Sequence, residues 1–205
     1  YNISPETLID QRHPSATVDK ILGEEINFEL YKDNAICANG AMYRKDKRGF
    51  LPELMEKIYK DRTIYKKKML VAKQQYEKTK TKALEKEISR CNNIQMARKI
   101  QLNSAYGAIG NQYFRYYKLA NAEAITLSGQ VSIRWIENKM NQKINQILKT
   151  EDVDYVIASD TDSIYLNLGP LVDAVYKGRE KTNQSIVAFL NKICEVEFEK
   201  YIESS

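Results

Sequence analysis

The chain has 205 residues, 43% of them hydrophobic, which suits one large domain or two small ones with a buried core and excludes a disordered polypeptide. Its three cysteines, Cys37, Cys91 and Cys194, are odd in number, far apart and without CxxC or Cys/His spacing, so neither a disulfide framework nor a zinc site is indicated and a reducing compartment is expected. The net charge of +5 is mild, but the basic residues concentrate between Tyr65 and Lys86, where Glu77 and Glu85 are the only acids.

No apolar run approaches the ~20 residues of a membrane span, and the start Tyr1-Asn2-Ile3-Ser4 resembles neither an initiator end nor a signal peptide. With Glu203-Ser204-Ser205 directly following a helical pattern, the expectation is a piece of a longer polypeptide. Residues 1 to 50 read as mixed structure, with Asn39-Gly40 between Ala35-Ile36-Cys37-Ala38 and Ala41-Met42-Tyr43-Arg44 as a hairpin signal. Helix is predicted from Pro52-Glu53, where proline suits the first turn and the acid suits the positive end of the dipole. Leu51, Leu54, Ile58, Tyr65, Met69, Ala72 and Tyr76 then form one apolar stripe, interrupted by Arg62.

The polar run Lys78-Thr79-Lys80-Thr81-Lys82 predicts a break, followed by a second helix from about Ala83 to Tyr106 with Gln95 and Arg98 in its seam. Two such helices imply an antiparallel hairpin whose arms are each ~35 Å long. Tyr113-Phe114-Arg115-Tyr116-Tyr117 reads as an extended aromatic connector. A third helix is predicted from Leu119 to Leu148 with Ile125, Gly129, Ile133, Ile136, Met140, Ile144 and Ile147 on one face. Val153 to Ala158 and Ile164 to Leu168 read as strands meeting at Asp160-Thr161-Asp162, and a last amphipathic helix spans about Asn183 to Tyr201.

Two constellations carry chemistry. Lys99 and Asn103 share a helical face with Tyr106 further along it, and Arg62 and Lys66 have the same i,i+4 relation on the other arm. In an antiparallel hairpin Arg62 lies roughly opposite Lys99, so three cations and an amide converge into a clamp for a polyphosphate. Against this stands the ordinary reading of lysines on long helices as solvated charges. Asp160 and Asp162 sit at a tight turn, where paired carboxylates repel unless a cation neutralises them; hard oxygen ligands there suit magnesium and a two-metal displacement at phosphorus. A DxD also occurs in phosphatases of the haloacid-dehalogenase type, in nucleotide-sugar glycosyltransferases and in Asx turns. The phosphatase reading fits poorly, because its catalytic strand comes early in a parallel sheet. Serine hydrolase chemistry is unsupported, since the only histidine, His13, is placed beside Pro14 in a surface loop.

Lys99-x-x-x-Asn103-Ser104-x-Tyr106-Gly107 and the run from Tyr155 to Asp160-Thr161-Asp162-Ser163 together resemble the fingers and palm motifs of family B DNA polymerases. Asn2-Ile3-Ser4-Pro5-Glu6-Thr7-Leu8, Gly110-Asn111-Gln112-Tyr113-Phe114-Arg115-Tyr116-Tyr117 and Glu123-Ala124-Ile125-Thr126 are similar to the subgroup from T-even-type tailed bacteriophages. The resemblance implies an α+β fold: palm over 1–49, a projecting two-helix fingers hairpin over 50–111 with its tip near 78–82, and palm again over 112–205 with the metal-binding hairpin, all part of a larger polymerase. It implies that Arg62, Lys66 and Lys99 bind the incoming triphosphate and that Asn103 sits beside them. Tyr106 and Gly107 lie against the nascent base pair, Asp162 is a direct metal ligand, and Asp160 is a weaker one. Asp160, Asp162 and Lys99 are then the catalytic set, with two Mg2+ ions, Mn2+ able to take their place.

The family's other metal-binding aspartate belongs to a motif that the Asn-Ile-Ser-Pro match places just before Tyr1. The chain alone is therefore expected to be inactive. The implied partners are primer–template DNA, deoxynucleoside triphosphates, the remaining amino-terminal, exonuclease and thumb domains, and a sliding clamp, in the cytoplasm of an infected bacterial host. The rival from another class is a non-catalytic nucleic-acid-binding module using the basic hairpin, with a metal-dependent phosphatase as a remote third.

Overall fold

The Asn39-Gly40 signal does make a hairpin. In the computed structural model, which describes residues 1–177 and 182–204, strand β1 (Leu8–Arg12) pairs antiparallel with β3 (Ala41–Arg44), and β3 pairs antiparallel with β2 (Asn34–Ile36). Residues 178–181 and Ser205, the last residue of the chain end noted above, lie outside the described residues. In the β2–β3 turn the Gly40 N–H donates to the Cys37 carbonyl and the Cys37 N–H to the Ala41 carbonyl, both at 2.9 Å. Only Gly40 in that turn has a positive φ, +78°, so the loop has three residues closed by a glycine bulge rather than the two-residue form an Asn-Gly pair favours. A Cβ at Gly40 would also lie 2.6 Å from the His13 carbonyl oxygen.

The first fifty residues further hold helix α1 (Val18–Leu22) and a 3-10 turn over Phe28–Tyr31. His13 is half-buried rather than a surface residue, edge-on to Tyr31 with ring centroids 5.2 Å apart.

Helix α2 runs Phe50–Thr79, beginning two residues before Pro52. Its N-cap, Gly49, has no side chain, and the free N–H groups are taken by residues 44 to 47 positions upstream. Glu6 accepts from the Phe50 N–H at 2.6 Å, Asn2 from the Gly49 N–H at 2.8 Å, and Ser4 Oγ from the Leu51 N–H at 3.4 Å. Burial pushes the Glu6 carboxyl up, but hydrogen bonds from the Ser4 hydroxyl and the Phe50 N–H outweigh it and leave the group below the usual carboxylate range. The Asn-Ile-Ser-Pro-Glu segment is thus a detached cap for α2.

Helix α3 covers Lys82–Ile109, so only Lys80 and Thr81 separate the arms. The polar run does not break helix at Lys78, Thr79 or Lys82, because lysine and threonine lower helix propensity by only a few tenths of a kcal/mol each. The stop comes from Lys80 in the left-handed region (φ 41°) and from the Thr81 side chain accepting the Leu84 N–H. At 30 and 28 residues the arms are ~45 and ~42 Å long, more than expected from the sequence. They are antiparallel, Asp61 meeting Arg98 at 3.5 Å, and the seam buries Leu51, Met69, Ala72, Cys91, Gln95 and Ile109. Gln95 in that seam donates to Asn92 on its own helix at 3.0 Å.

The connector 110–118 is coiled, not extended. The Asn111 side chain accepts the Tyr113 N–H, and the Asn111 and Phe114 carbonyls accept the Phe114 and Tyr117 N–H groups in consecutive turns. Helix α4 (Leu119–Leu148) has the predicted limits, and Ile125, Ile136, Met140 and Ile144 of the predicted face do pack into the cores; Ala122, Ala124, Ser128 and Val131 are buried as well, while Gly129 and Ile147 are exposed. Its start is tied to the sheet where the Tyr43 hydroxyl donates to Asn121 at 2.8 Å and Asn39 donates to the Ala120 carbonyl at 2.9 Å. Small side chains suit this end, since Ala124 packs with Cys37, Ala41 and Tyr43.

The chain divides into two units, Tyr1–Leu127 and Ser128–Ser205. In the second, β4 (Val156–Asp160) and β5 (Ser163–Leu166) form a hairpin over a core of Met140, Ile144, Tyr155, Leu171 and Phe198. The first strand begins three residues later than predicted because residues 150–155 are held by two α4 side chains. Asn145 accepts from the Thr150 hydroxyl and the Val153 N–H and donates to the Val153 carbonyl, while Asn141 accepts the Tyr155 N–H and donates to Asp154. Helix α5 (Gly169–Val175), with Pro170 in its first turn, takes up residues that sequence periodicity did not resolve. The closing helix is interrupted: α6 (Asn183–Ile193), a π turn over Cys194–Phe198, then α7 (Glu199–Ser204). Among the described residues there are two small antiparallel sheets, one around each predicted hairpin.

Candidate nucleotide and metal site

The hairpin places Arg62 and Lys66 on α2, and Lys99, Asn103, Tyr106 and Gly107 on α3. The Asp61–Arg98 pair joins the immediate neighbours of Arg62 and Lys99, which supports their predicted opposition across the arms. Arg62 is half-buried, and its Nε is shielded from solvent without a hydrogen-bond partner. The two acids near it on the same helix are engaged elsewhere: Asp61 by Arg98, and Glu56 by Arg48 and Lys60. Lys66, Lys99 and Asn103 are exposed, and none of the three makes a side-chain hydrogen bond or ion pair within the described residues. Tyr106 is different, its hydroxyl lying 2.8 Å from Thr126 Oγ1. The threonine proton points to the Ala122 carbonyl at 3.1 Å, so the tyrosine is the donor and its ring is held in one orientation.

Gly107 is exposed in the body of α3, and a Cβ there would meet no atom within 4 Å. Glycine inside a helix costs roughly 0.5–1 kcal/mol against alanine, and nothing among the described residues requires it. Gly107→Ala should therefore raise stability by about that amount, seen as a higher urea midpoint at unchanged slope; a loss of stability would reveal an internal steric role.

The carboxylates belong to the second unit. Asp160 closes β4 opposite Ser163, Thr161 turns the chain at φ 53°, and the Asp162 N–H reaches back to the Asp160 carbonyl at 2.6 Å. Thr161 donates to the Asp160 carboxylate at 2.9 Å and Ser163 to the Asp160 carbonyl at 3.2 Å, so both hydroxyls shape the turn. Asp160 and Asp162 are both exposed. Their hard oxygens suit magnesium, but no group of three or more His, Cys, Asp or Glu side chains among the described residues could hold a metal ion, so the turn offers a partial ligand set.

The cap formed by Asn2, Ser4 and Glu6, the Asp61–Arg98 pair, the Thr126 partner of Tyr106 and the Asn141/Asn145 clip escaped the sequence reading. Only the last left a signal, two asparagines at i,i+4 on a helix beside a strand.

The sequence model for DNA polymerase family B matches residues 1–204. The chain belongs to this family. It is 31% identical over 244 aligned residues to the DNA-directed DNA polymerases of Enterobacteria phage T4 and Escherichia phage RB69, covering 98% of this chain and 27% of each phage protein. It is 30% identical over 156 residues to the DNA polymerase delta catalytic subunit of Drosophila melanogaster, across 75% of this chain and 13% of that subunit. The family B DNA polymerase of the archaeon Pyrobaculum calidifontis has a similar fold, with a TM-score of 0.50 at 22% identity over 86% of this chain and 19% of the archaeal one. This family B chain thus spans about a quarter of the length of the phage relatives it matches. No helix among its described residues is long and apolar enough to cross a membrane.

Proposed function

We propose that this chain carries the nucleotide-binding hairpin and part of the metal site of a phage-type, template-directed DNA polymerase. The observation that carries the reading is the α3 face on which Lys99, Asn103 and Gly107 stand exposed and unengaged, opposite an arm bearing the unpartnered Arg62 guanidinium. Residues 50–111 would be the fingers, and 1–49 and 112–205 the palm.

In the reaction the primer 3′-oxygen bonds to the α-phosphorus of a deoxynucleoside triphosphate, the α–β bridging bond breaks, and pyrophosphate leaves. Arg62 would grip phosphate oxygens bidentately, while Lys66 and Lys99 supply point charges against the tetra-anion and Asn103 donates beside them. These groups act by positioning and charge neutralisation, which suffice for phosphoryl chemistry. The Tyr106 ring, fixed by Thr126, and the side-chain-free surface at Gly107 would test the shape of the new base pair. Asp162 directly, and Asp160 more weakly, would hold Mg2+ or Mn2+, which supplies charge neutralisation and activates the attacking oxygen when bound.

With only two carboxylates at the turn, the site is completed by an aspartate outside these 205 residues, and the chain by itself does not extend a primer. The partners on this reading are primer–template DNA, deoxynucleoside triphosphates, the remaining polymerase domains and a sliding clamp, in the cytoplasm of a bacterial host. Equilibrium dialysis of a radiolabelled deoxynucleoside triphosphate against the purified chain should give saturable binding that requires Mg2+, with no product in a primer-extension assay. Template-dependent extension would mean that the completing carboxylate is already present. Binding indifferent to Mg2+ would leave the basic hairpin as a nucleic-acid module only.

A further inference from the structure

The outer half of the α2–α3 hairpin carries a net positive charge larger than that of the whole chain. Residues 65–86 contain eight lysines and two glutamates, net +6, while the complete chain is +5, so everything else together is −1. Several cations elsewhere along the arms and at their base are paired: Arg48 and Lys60 with Glu56, Arg98 with Asp61, and Arg90 with Glu87. At the tip they are not. Lys73, Lys78, Lys80, Lys82 and Lys86 are exposed, and none forms an ion pair within the described residues.

This arrangement works against the fold. Lys82–Lys86 and Lys86–Arg90 are like-charged i,i+4 pairs, and Lys82 opens α3 at the positive end of its dipole. Lys80 stands in the left-handed conformation at the end of α2, where glycine would be free of strain. A tip selected only for solubility or helix stability would place acids or glycine at several of these positions. An external polyanion removes the conflict.

We propose that the hairpin tip is a docking surface for the phosphodiester backbone of nucleic acid, separate from the nucleotide face nearer the base of the hairpin. The segment 65–86 contains no arginine, and lysines acting as point charges suit sequence-independent phosphate contacts better than bidentate recognition of a particular carboxylate or base. Lys67 to Lys80 spans ~20 Å along the outer part of this arm, the length of about six phosphates on one strand. The inference stands whether or not the triphosphate reading is right.

The test is fluorescence anisotropy of labelled 20-nucleotide single strands and 20-base-pair duplexes with the 205-residue chain across a salt series, repeated with Lys73→Gln/Lys78→Gln/Lys80→Gln/Lys82→Gln. The quadruple variant should bind at least 10-fold more weakly, with a log–log salt slope shallower by about 3 for the single strand. Its melting temperature should be unchanged or raised. Whichever of the two forms binds more tightly identifies the form of backbone held. Lys80→Gly should raise the melting temperature and still lower affinity for DNA. An unchanged salt slope in the quadruple variant would overturn the proposal, as would a wild-type chain that prefers polyglutamate to both DNA forms, which would assign the tip to an acidic protein.

Discussion

Lys99→Ala should weaken magnesium-dependent deoxynucleoside triphosphate binding by about 10- to 100-fold while leaving the melting temperature essentially unmoved. A hydrogen bond to a charged group contributes about 1.5–3 kcal/mol, which sets the size of the loss. Lys99 is exposed and makes no hydrogen bond or ion pair within the described residues, so its removal should cost the fold no more than about 0.5 kcal/mol. Arg62→Ala should behave differently. Its half-buried stem lines the seam, so both nucleotide affinity and hairpin stability should fall. If the two side chains grip one ligand, the double variant should lose less than the sum of the single losses expressed as free energies. Calorimetric titration of the three variants gives the cycle, and unchanged affinity in Lys99→Ala would remove the helix face from the site.

The second large effect belongs to stability. Gly49→Ala should lower stability by about 2–4 kcal/mol, combining overpacking of about 1–3 kcal/mol with loss of a helix cap at about 1 kcal/mol. The melting temperature should drop by ~10 °C. The added Cβ would lie 2.5 Å from Ser4 Cβ and 3.3 Å from Pro52 Cδ. Ser4 has no exposed surface, and its hydroxyl is committed to Glu6 at 2.5 Å, so it cannot retreat without dismantling the cap. Ser4→Gly in the same chain should recover the steric part but not the hydrogen bonds. A Gly49→Ala chain that melts like the parent would show that the Asn2–Glu6 segment is free to shift.

The long helices and the two hairpin turns were legible in the sequence because their signals are local. Apolar spacing at three and four residues marks α2 and α4, and an Asn-Gly or Asp-Thr-Asp marks a turn. What was not legible depends on residues distant in sequence or on side chains competing with the backbone. The cap of α2 needs Asn2, Ser4 and Glu6 across more than forty residues. The late start of β4 depends on Asn141 and Asn145 taking the backbone groups of 153–155 before a neighbouring strand can. On α4 the isoleucine stripe marked Ile136, Met140 and Ile144 but missed the end on the sheet, where the buried face is chosen by small residues such as Ala124 because bulk does not fit. The lysine-rich tip was legible as composition; that its cations go unpaired and that Lys80 sits in the left-handed region required coordinates.

The link of just Lys80 and Thr81 between the arms limits how the hairpin can change length. One residue inserted into a single arm turns everything beyond it by 100° about that helix. Such an insertion between the tip and Arg62 would rotate Arg62 out of the seam and break its register with Lys99. Equal lengths added to or removed from both arms at the tip disturb neither. Descendants of this sequence can therefore lengthen or shorten the hairpin freely only in matched pairs at its end, and length variants that keep the nucleotide face should differ there and nowhere nearer the base.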